Sequence, residues 1–374
     1  MRMNDDQLAD RAAAAGDYRT ALDHLARAKS ADAQPSLARA LKMAAMARAL
    51  GDTEAASVFL HQALAIDPLD VSALLLKATM LHNAGDPNAG DFYGRALAQI
   101  EEPTPPHLAA VLHVARQRHV AWQTETRARL IERVRSVAPV TPALCAFVDA
   151  LLHLVPPERE GPSHYCYPGL ATAGFHPRDR FAWLTRLEDR VATIQQELAA
   201  ILQVSTGSPY IRYPEHVPVD QWHELNGNAD WSAIHLIERG VVTDLARRYC
   251  PETVALVQSL PQPVVAGIGP NAMFSLLAPH THIPPHTGVS NTRLICHLPL
   301  VTPPECWFRV GAETRLWHTG EAWVFDDTIE HEAMNPSEHM RAVLIFDVWH
   351  PDLDEDARRA VGAIMEASGA LHAL

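Results

Sequence analysis

The dipeptide Gly-Asp occurs three times in the first hundred residues, at Gly16-Asp17, Gly51-Asp52 and Gly85-Asp86, in steps of 35 and 34 residues. Nothing else in the chain limits its fold as much, because a fixed period of that length marks a supersecondary unit stacked on copies of itself. Each Gly-Asp is followed by a helical stretch with a small residue nearly in phase: Ala28, Ala63 and Ala96. Before the second and third copies come the Ala/Leu-rich runs LARALKMAAMARAL and VSALLLKATMLHNA. Ile66-Asp67-Pro68-Leu69-Asp70 closes one unit, with a proline placed to end one helix and start the next. The glycine provides a tight turn between paired helices, and the small residues let those helices pack closely.

With about 34 residues and two antiparallel helices per unit, residues 1–100 resemble tetratricopeptide repeats. That resemblance implies an α-helical solenoid whose groove holds a peptide or protein partner, or else a helical cap that stabilises the next domain or mediates self-association. Glu101-Glu102-Pro103-Thr104-Pro105-Pro106 breaks the pattern. Residues 101–163 then read as a helical connector. It has a charged helix from about His107 to Val137, with Arg127, Arg129, Arg133 and Arg135 on a solvated face, and a second helix near Pro142–Leu154. The run PPEREGPSHYCYPGL lacks apolar periodicity and reads as the linker into a new domain.

The formal net charge of -13 argues against a nucleic-acid partner and against an anionic membrane surface, both of which are bound through basic patches. No stretch approaches ~20 consecutive apolar residues, so no membrane span is expected. The N-terminal MRMNDDQLADRAAAAGD is acidic and lacks the apolar core of a signal peptide. Cys145, Cys166, Cys250, Cys296 and Cys306 are odd in number, widely spaced and form no C-x-x-C pair, the usage of a reduced, cytoplasmic protein.

In the second half, apolar residues at 184, 187, 191, 194, 198 and 201 predict one amphipathic helix packed on a sheet. Asn226-Gly227 signals a turn, Trp231–Ile237 alternates as a strand should, and a helix is expected near Cys250–Leu260. From Thr292 to Leu300 the leucines and Cys296 share one face, leaving Arg293, Ile295, His297 and Pro299 on the other. Ala342–Val348 behaves likewise, with Ala342, Leu344, Phe346 and Val348 opposed to Arg341, Val343, Ile345 and Asp347. Short strands separated by Pro/Gly turns predict a double-sheet jelly roll with a ligand at its mouth.

His286, His297 and His331 lie among these alternating runs, and Arg341 comes ten residues after the last. Neutral imidazoles on strands, with a cation that can grip a carboxylate bidentately, suggest a metal site that also takes a small acid. Three readings compete on the residues alone. The histidines fit a zinc hydrolase using three imidazoles and a water, a non-haem iron oxygenase with open positions, or ordinary buried side chains. His280 and His282 are left without an assigned role.

Phe274-Ser275, HTGVSNTRLICHLPL (286–300), FDDTIEHE (325–332) and RAVLIFDVWHP (341–351) resemble the aspartyl/asparaginyl β-hydroxylases, which are iron(II)- and 2-oxoglutarate-dependent oxygenases. Weaker similarity reaches back through DWSAIHLIERG to YPGLATAGF, so it covers about residues 165 to 352. The resemblance implies that His286 and His331 hold Fe(II), and that Arg341 and Ser275 bind the distal carboxylate of 2-oxoglutarate. His297 would hydrogen-bond the co-substrate, with Trp231 lining the pocket. Gly288 stands where most 2-oxoglutarate oxygenases carry a ligating carboxylate. Asp327 is implied as the group that holds a water on the metal in its place.

The implied activity is O2-dependent hydroxylation of an unactivated C–H in an amino acid, peptide or protein side chain, with release of succinate and CO2. A repeat adaptor with a non-catalytic jelly roll and a His-ligated zinc hydrolase are the alternatives. Members acting on aspartyl residues resemble one another in an RLR run where this chain has Arg293-Leu294-Ile295. Weak or no activity on aspartyl peptides is therefore expected. The expected architecture is a multidomain α and β chain: tetratricopeptide-like repeats over 1–100, connector over 101–163, a cupin-like double-stranded β-helix over 164–355, and a C-terminal helix over 356–374.

Overall fold

At each Gly-Asp the backbone closes the same pair of hydrogen bonds. Gly16 N donates to Ala13 O and Asp17 N to Ala12 O, each at 3.0 Å; Gly51 and Asp52 repeat this on Arg48 and Ala47, and Gly85 and Asp86 on His82 and Leu81. This is the Schellman ending of a helix, which needs a left-handed residue. The three glycines have φ of +80°, +79° and +72°, and a Cβ at any of them would meet nothing within 4 Å, so conformation rather than space demands glycine. The aspartate then serves the next helix: Asp17 Oδ1 accepts from Thr20 N at 3.1 Å and Asp52 Oδ1 from Ala55 N at 2.9 Å. At these two copies one dipeptide ends a helix and starts another; at the third, Asp86 Oδ1 accepts from Asn88 N at 2.8 Å, just ahead of the next helix.

These features come from a computed structural model that describes residues 3–31, 35–100, 108–156, 164–212 and 223–368. The expected break at residues 101–106, part of the expected linker (157–163) and residues 369–374 lie outside the described residues. The chain divides into two units, one of residues 1–126 and one of residues 127–213 and 219–374.

In the first unit α1 (Asp5–Ala14) pairs with α2 (Tyr18–Ala31), α3 (Leu37–Ala49) with α4 (Thr53–Ile66), and α5 (Val71–Asn83) with α6 (Ala89–Ala98). These are three successive helical hairpins on the period of the sequence. Ala28, Ala63 and Ala96 are buried, as close packing of paired helices requires. The boundary between the units falls within α7 (Ala109–Arg135).

The second unit contains α8 (Pro142–Leu151), α9 (Leu184–Glu188), α10 (Val191–Leu202), α11 (Asp244–Tyr249), α12 (Pro251–Gln258) and α13 (Glu355–Ser368). Its strands are β1 (Ser208–Pro209), β2 (Trp231–Glu238), β3 (Val241–Val242), β4 (Ala272–Leu277), β5 (Thr281–His286) and β6 (Arg293–Val301). They continue with β7 (Trp307–Val310), β8 (Glu313–Leu316), β9 (Trp323–Phe325), β10 (His331–Asn335) and β11 (Arg341–Trp349). A seven-stranded sheet runs in the order β1-β2-β4-β11-β6-β9 with β3 on β2, and a four-stranded sheet in the order β5-β10-β7-β8. The pairings between these strands are antiparallel, which gives the expected double-sheet jelly roll.

The large sheet has two faces with different neighbours. Leu294, Cys296, Leu298 and Leu300 join Ala342, Leu344, Phe346 and Val348 in a cluster with Leu187, Ile194, Leu198 and Val257 of the helices. The opposite face, with Ile295, Val343, Leu277 and Phe325, packs against Ile283, Phe308, Val310 and Ala333 of the small sheet. Period-two alternation thus sends one set of side chains to the helices and the other into the space between the sheets. The helix expected over 184–201 is split into α9 and α10, because Arg190, at φ -102° and ψ 5°, leaves the helical region. Its apolar face survives the break: Leu184, Leu187, Ile194, Leu198 and Ile201 are all buried. The helix expected near Cys250–Leu260 begins at Pro251, preceded by the separate α11.

Candidate active site between the two sheets

A cavity of about 490 Å³ opens between the sheets, lined by residues that include His286, His331, His297, Asp327, Arg341 and Ser275, with Trp231 at its wall. All seven residues singled out in the sequence therefore share one cavity. His286 ends β5 and His331 starts β10, and the two are directly opposite in the antiparallel register. Opposed positions on paired strands hold side chains close, and the ring centroids lie 4.0 Å apart. Each ring is fixed in the same way. His286 Nδ1 bonds Pro284 O at 2.8 Å and His331 Nδ1 bonds Ile329 O at 2.9 Å. A carbonyl can only accept, so Nδ1 carries the proton and Nε2 the lone pair in both. Burial disfavours the imidazolium, holding His286 below its ordinary range and His331 down at about 3, the latter helped by the neighbouring His286. Two neutral imidazoles presenting Nε2 suit a divalent metal.

Asp327 comes from the turn before β10. Its Oδ2 accepts from Arg293 Nη1 at 3.0 Å, while Oδ1 is buried and has no hydrogen-bond partner among the described residues. Burial raises its carboxyl to about 6, with Arg293 opposing the shift. Gly288 explains why this carboxylate fits. Gly288 N donates to Asp327 O at 2.6 Å, and a Cβ on residue 288 would stand 2.1 Å from Asp327 Oδ2. Any side chain there would occupy the space the Asp327 carboxylate fills.

Arg341 opens β11 and is 1% exposed. Its Nη1 donates to Ser275 O and to Ser275 Oγ, both at 3.3 Å, and its guanidinium lies 4.5 Å from the Trp317 ring centroid. Nε is buried without a partner, no carboxylate pairs with the group among the described residues, and burial pulls it down to about 10. Ser275, opposite Val343 of β11, also accepts from Trp231 Nε1 at 3.2 Å. Trp231 stacks on Tyr210 with centroids 4.0 Å apart. His297 lies among Phe308, Phe325 and Trp317, its Nδ1 buried without a hydrogen-bond partner among the described residues. Burial, with Arg341 and His331 nearby, keeps it neutral. His286, His297 and His331 do not make a three-ligand group: no cluster of three or more His, Cys, Asp or Glu able to hold a metal occurs among the described residues.

Several neighbours had less signal in the sequence. Asp347 accepts from Asn271 N at 2.9 Å and Asn271 Nδ2 at 3.0 Å, and lies 3.7 Å from Arg293 Nη1. Its place on the inward face of β11 was visible by alternation, but its link to Arg293 two strand positions away in the register was not. Asp326 holds the turn before His331 by accepting from Thr328 N at 3.0 Å, and is buried rather than superficial. His280 and His282 lie outside the cavity, paired with Glu338 and Glu332.

The fold and these opposed histidines define a jelly-roll protein with a histidine-lined cavity between its sheets. A profile of the aspartyl/asparaginyl beta-hydroxylase family matches residues 188–351. Mouse aspartyl/asparaginyl beta-hydroxylase is 38% identical over 149 residues, which is 40% of this chain and 20% of that protein. Aspartate beta-hydroxylase domain-containing protein 2 of Xenopus tropicalis is 29% identical over 214 residues, 56% of this chain and 55% of that one. Ornithine lipid ester-linked acyl 2-hydroxylase of Rhizobium tropici is 30% identical over 202 residues, 53% of this chain and 68% of that one. The chain belongs to the aspartyl/asparaginyl β-hydroxylase family. It spans about a fifth of the mouse relative and about half of the frog one.

Proposed function

We propose that this chain is an iron(II)- and 2-oxoglutarate-dependent dioxygenase that hydroxylates an unactivated C–H bond. The observation that carries the reading is Arg341, a buried guanidinium with no carboxylate partner among the described residues, in the cavity that holds the two opposed histidines. A buried unpaired cation is costly, and a dianionic acid entering the cavity relieves that cost. The donor set fits the metal as well: His286 and His331 offer Nε2, and the partnerless Oδ1 of Asp327 suits a water on it. One relative is named an aspartyl/asparaginyl beta-hydroxylase, one an aspartate beta-hydroxylase domain-containing protein and one an acyl 2-hydroxylase.

When bound, iron(II) with 2-oxoglutarate and O2 supplies the oxidising chemistry, releasing succinate and CO2. The chain's own part is positional. Arg341 and Ser275 Oγ grip the distal carboxylate, while Trp231 Nε1 fixes the serine hydroxyl. His297, neutral and packed among aromatic rings, donates or accepts one hydrogen bond to the co-substrate and helps exclude water. Gly288 leaves room for the carboxylate of Asp327.

The test is succinate formation from 2-oxoglutarate by the protein with iron(II) and ascorbate. Wild type is expected to turn over slowly without a second substrate. His331→Ala and Arg341→Ala should each lower that rate by about 100-fold or more, the scale of losing a charged or liganding contact. Absence of succinate under every condition would overturn the reading.

A further inference from the structure

The cavity contains more than the metal and co-substrate positions, and what remains has a definite charge balance. Cross-strand register arranges the inward face of the large sheet in rows. His235, Met273, Ile345 and His297 lie side by side, and Asp347, Ile295 and Phe325 form the next row. Met273, Ile345 and Ile295 thus form an apolar band between the Arg341–Ser275 end and the Arg293 end.

Among the described residues lining the cavity, the only lysine or arginine side chains are Arg293 and Arg341. Arg341 faces the co-substrate position. Arg293 is already shared between two carboxylates, Asp327 Oδ2 at 3.0 Å and Asp347 Oδ1 at 3.7 Å. That cluster of one cation and two anions has excess negative charge. The other oxygen of Asp347 is held by Asn271 N and Nδ2. An entering carboxylate or phosphate would find no unpaired lysine or arginine among the described residues beyond the one facing the co-substrate, and would lie beside the surplus charge. An entering ammonium would find Asp347 held by Asn271 and Arg293, and Asp327 Oδ1 assigned above to a water on the metal, with an aliphatic wall in front of both.

We propose that the group presented to this site for hydroxylation is uncharged and aliphatic, packed on Ile295, Met273 and Ile345. The proposal rests on the dioxygenase reading above. Such a group can come from a peptide side chain or from an acyl chain, and the two sources present the same chemistry to the band.

Calorimetric titration of the full chain, loaded with iron(II) and 2-oxoglutarate under anaerobic conditions, tests this with four probes. Three are end-capped Gly-X-Gly peptides with X as Leu, Asp or Lys, and the fourth is decanoyl glycinamide. The leucyl or the decanoyl probe should bind about 10-fold or more tightly than both charged peptides. Whichever of the two binds tighter identifies the source. Ile295→Arg should reverse the order of the leucyl and aspartyl peptides. Equal affinities, tighter binding of either charged peptide, or no binding by any probe would overturn the proposal. Succinate formed by the same preparation in air without a probe reports separately on the dioxygenase reading. A protein that makes succinate yet prefers the aspartyl peptide loses only this inference, and one that makes none loses the reading beneath it.

Discussion

Arg341 is the residue at which stability and binding pull in opposite directions. Its guanidinium is 1% exposed, and its partners are the Ser275 carbonyl and hydroxyl and the Trp317 ring, none of them an anion. Replacing an uncompensated buried charge with an apolar side chain of similar length removes a desolvation cost. Arg341→Met should therefore raise the thermal midpoint of the protein without co-substrate, by the equivalent of about 1–4 kcal/mol. On the dioxygenase reading proposed above, 2-oxoglutarate should raise the wild-type midpoint further and leave that of the variant unmoved; a lower midpoint for the variant without co-substrate would contradict the stability prediction. His176 makes a pH prediction. It is 4% exposed, neither ring nitrogen has a hydrogen-bond partner among the described residues, and burial, with His350 5.3 Å away, pushes it down to about 4. Asp326 and Asp352 pull the other way and Arg180 reinforces the depression. The unfolded chain takes up this proton near pH 6.5 and the folded one only near 4. The contribution is thus complete above 6.5 and is lost as pH falls through that window, on the order of 3 kcal/mol in all. Between pH 6.5 and 4 the urea midpoint of wild type should fall more steeply than that of His176→Phe, and parallel curves would contradict this.

At the scale of elements, the Gly-Asp junctions and the two long strands contain the most local information. Gly51→Ala places a Cβ on a residue at φ +79° and should cost about 1 kcal/mol in denaturant unfolding, although no atom obstructs it. A neutral result would mean that the turn can relax. The faces of β6 and β11 were legible because every second residue is strongly apolar, so burial on the helix side determines the register of everything opposite. The break between α9 and α10 was not legible, since the apolar spacing runs through Arg190 without interruption. β10 was legible only as a strand-borne histidine and not in its extent: the alternation of His331–Asn335 is too short to bound it, and pairing with β5 and β7 on both sides is what makes it a strand.

For the whole molecule, the period of 34 to 35 residues and the motif-bearing strands were enough to anticipate helical hairpins in one unit and a jelly roll in the other. Long-range electrostatics were not legible. Asp327 and Asp347 share Arg293 only because a turn before β10 and the middle of β11 converge on the start of β6, and the sequence separations of 34 and 54 residues give no local sign of it. The same holds for Gly288, whose lack of a side chain looks like a missing ligand until the Asp327 carboxylate is seen beside it.

That last proximity restricts how such a site can diverge. A carboxylate introduced at position 288 collides with the one already supplied by Asp327. Deleting Asp327 first leaves Arg293 with Asp347 alone, at 3.7 Å. Each change made alone disturbs the pairing of Arg293 and Asp327 or crowds it, and only the two together would relocate the acid. On the metal-site reading proposed above, a chain with Gly288 and Asp327 is separated from a three-ligand arrangement by two coupled substitutions rather than one.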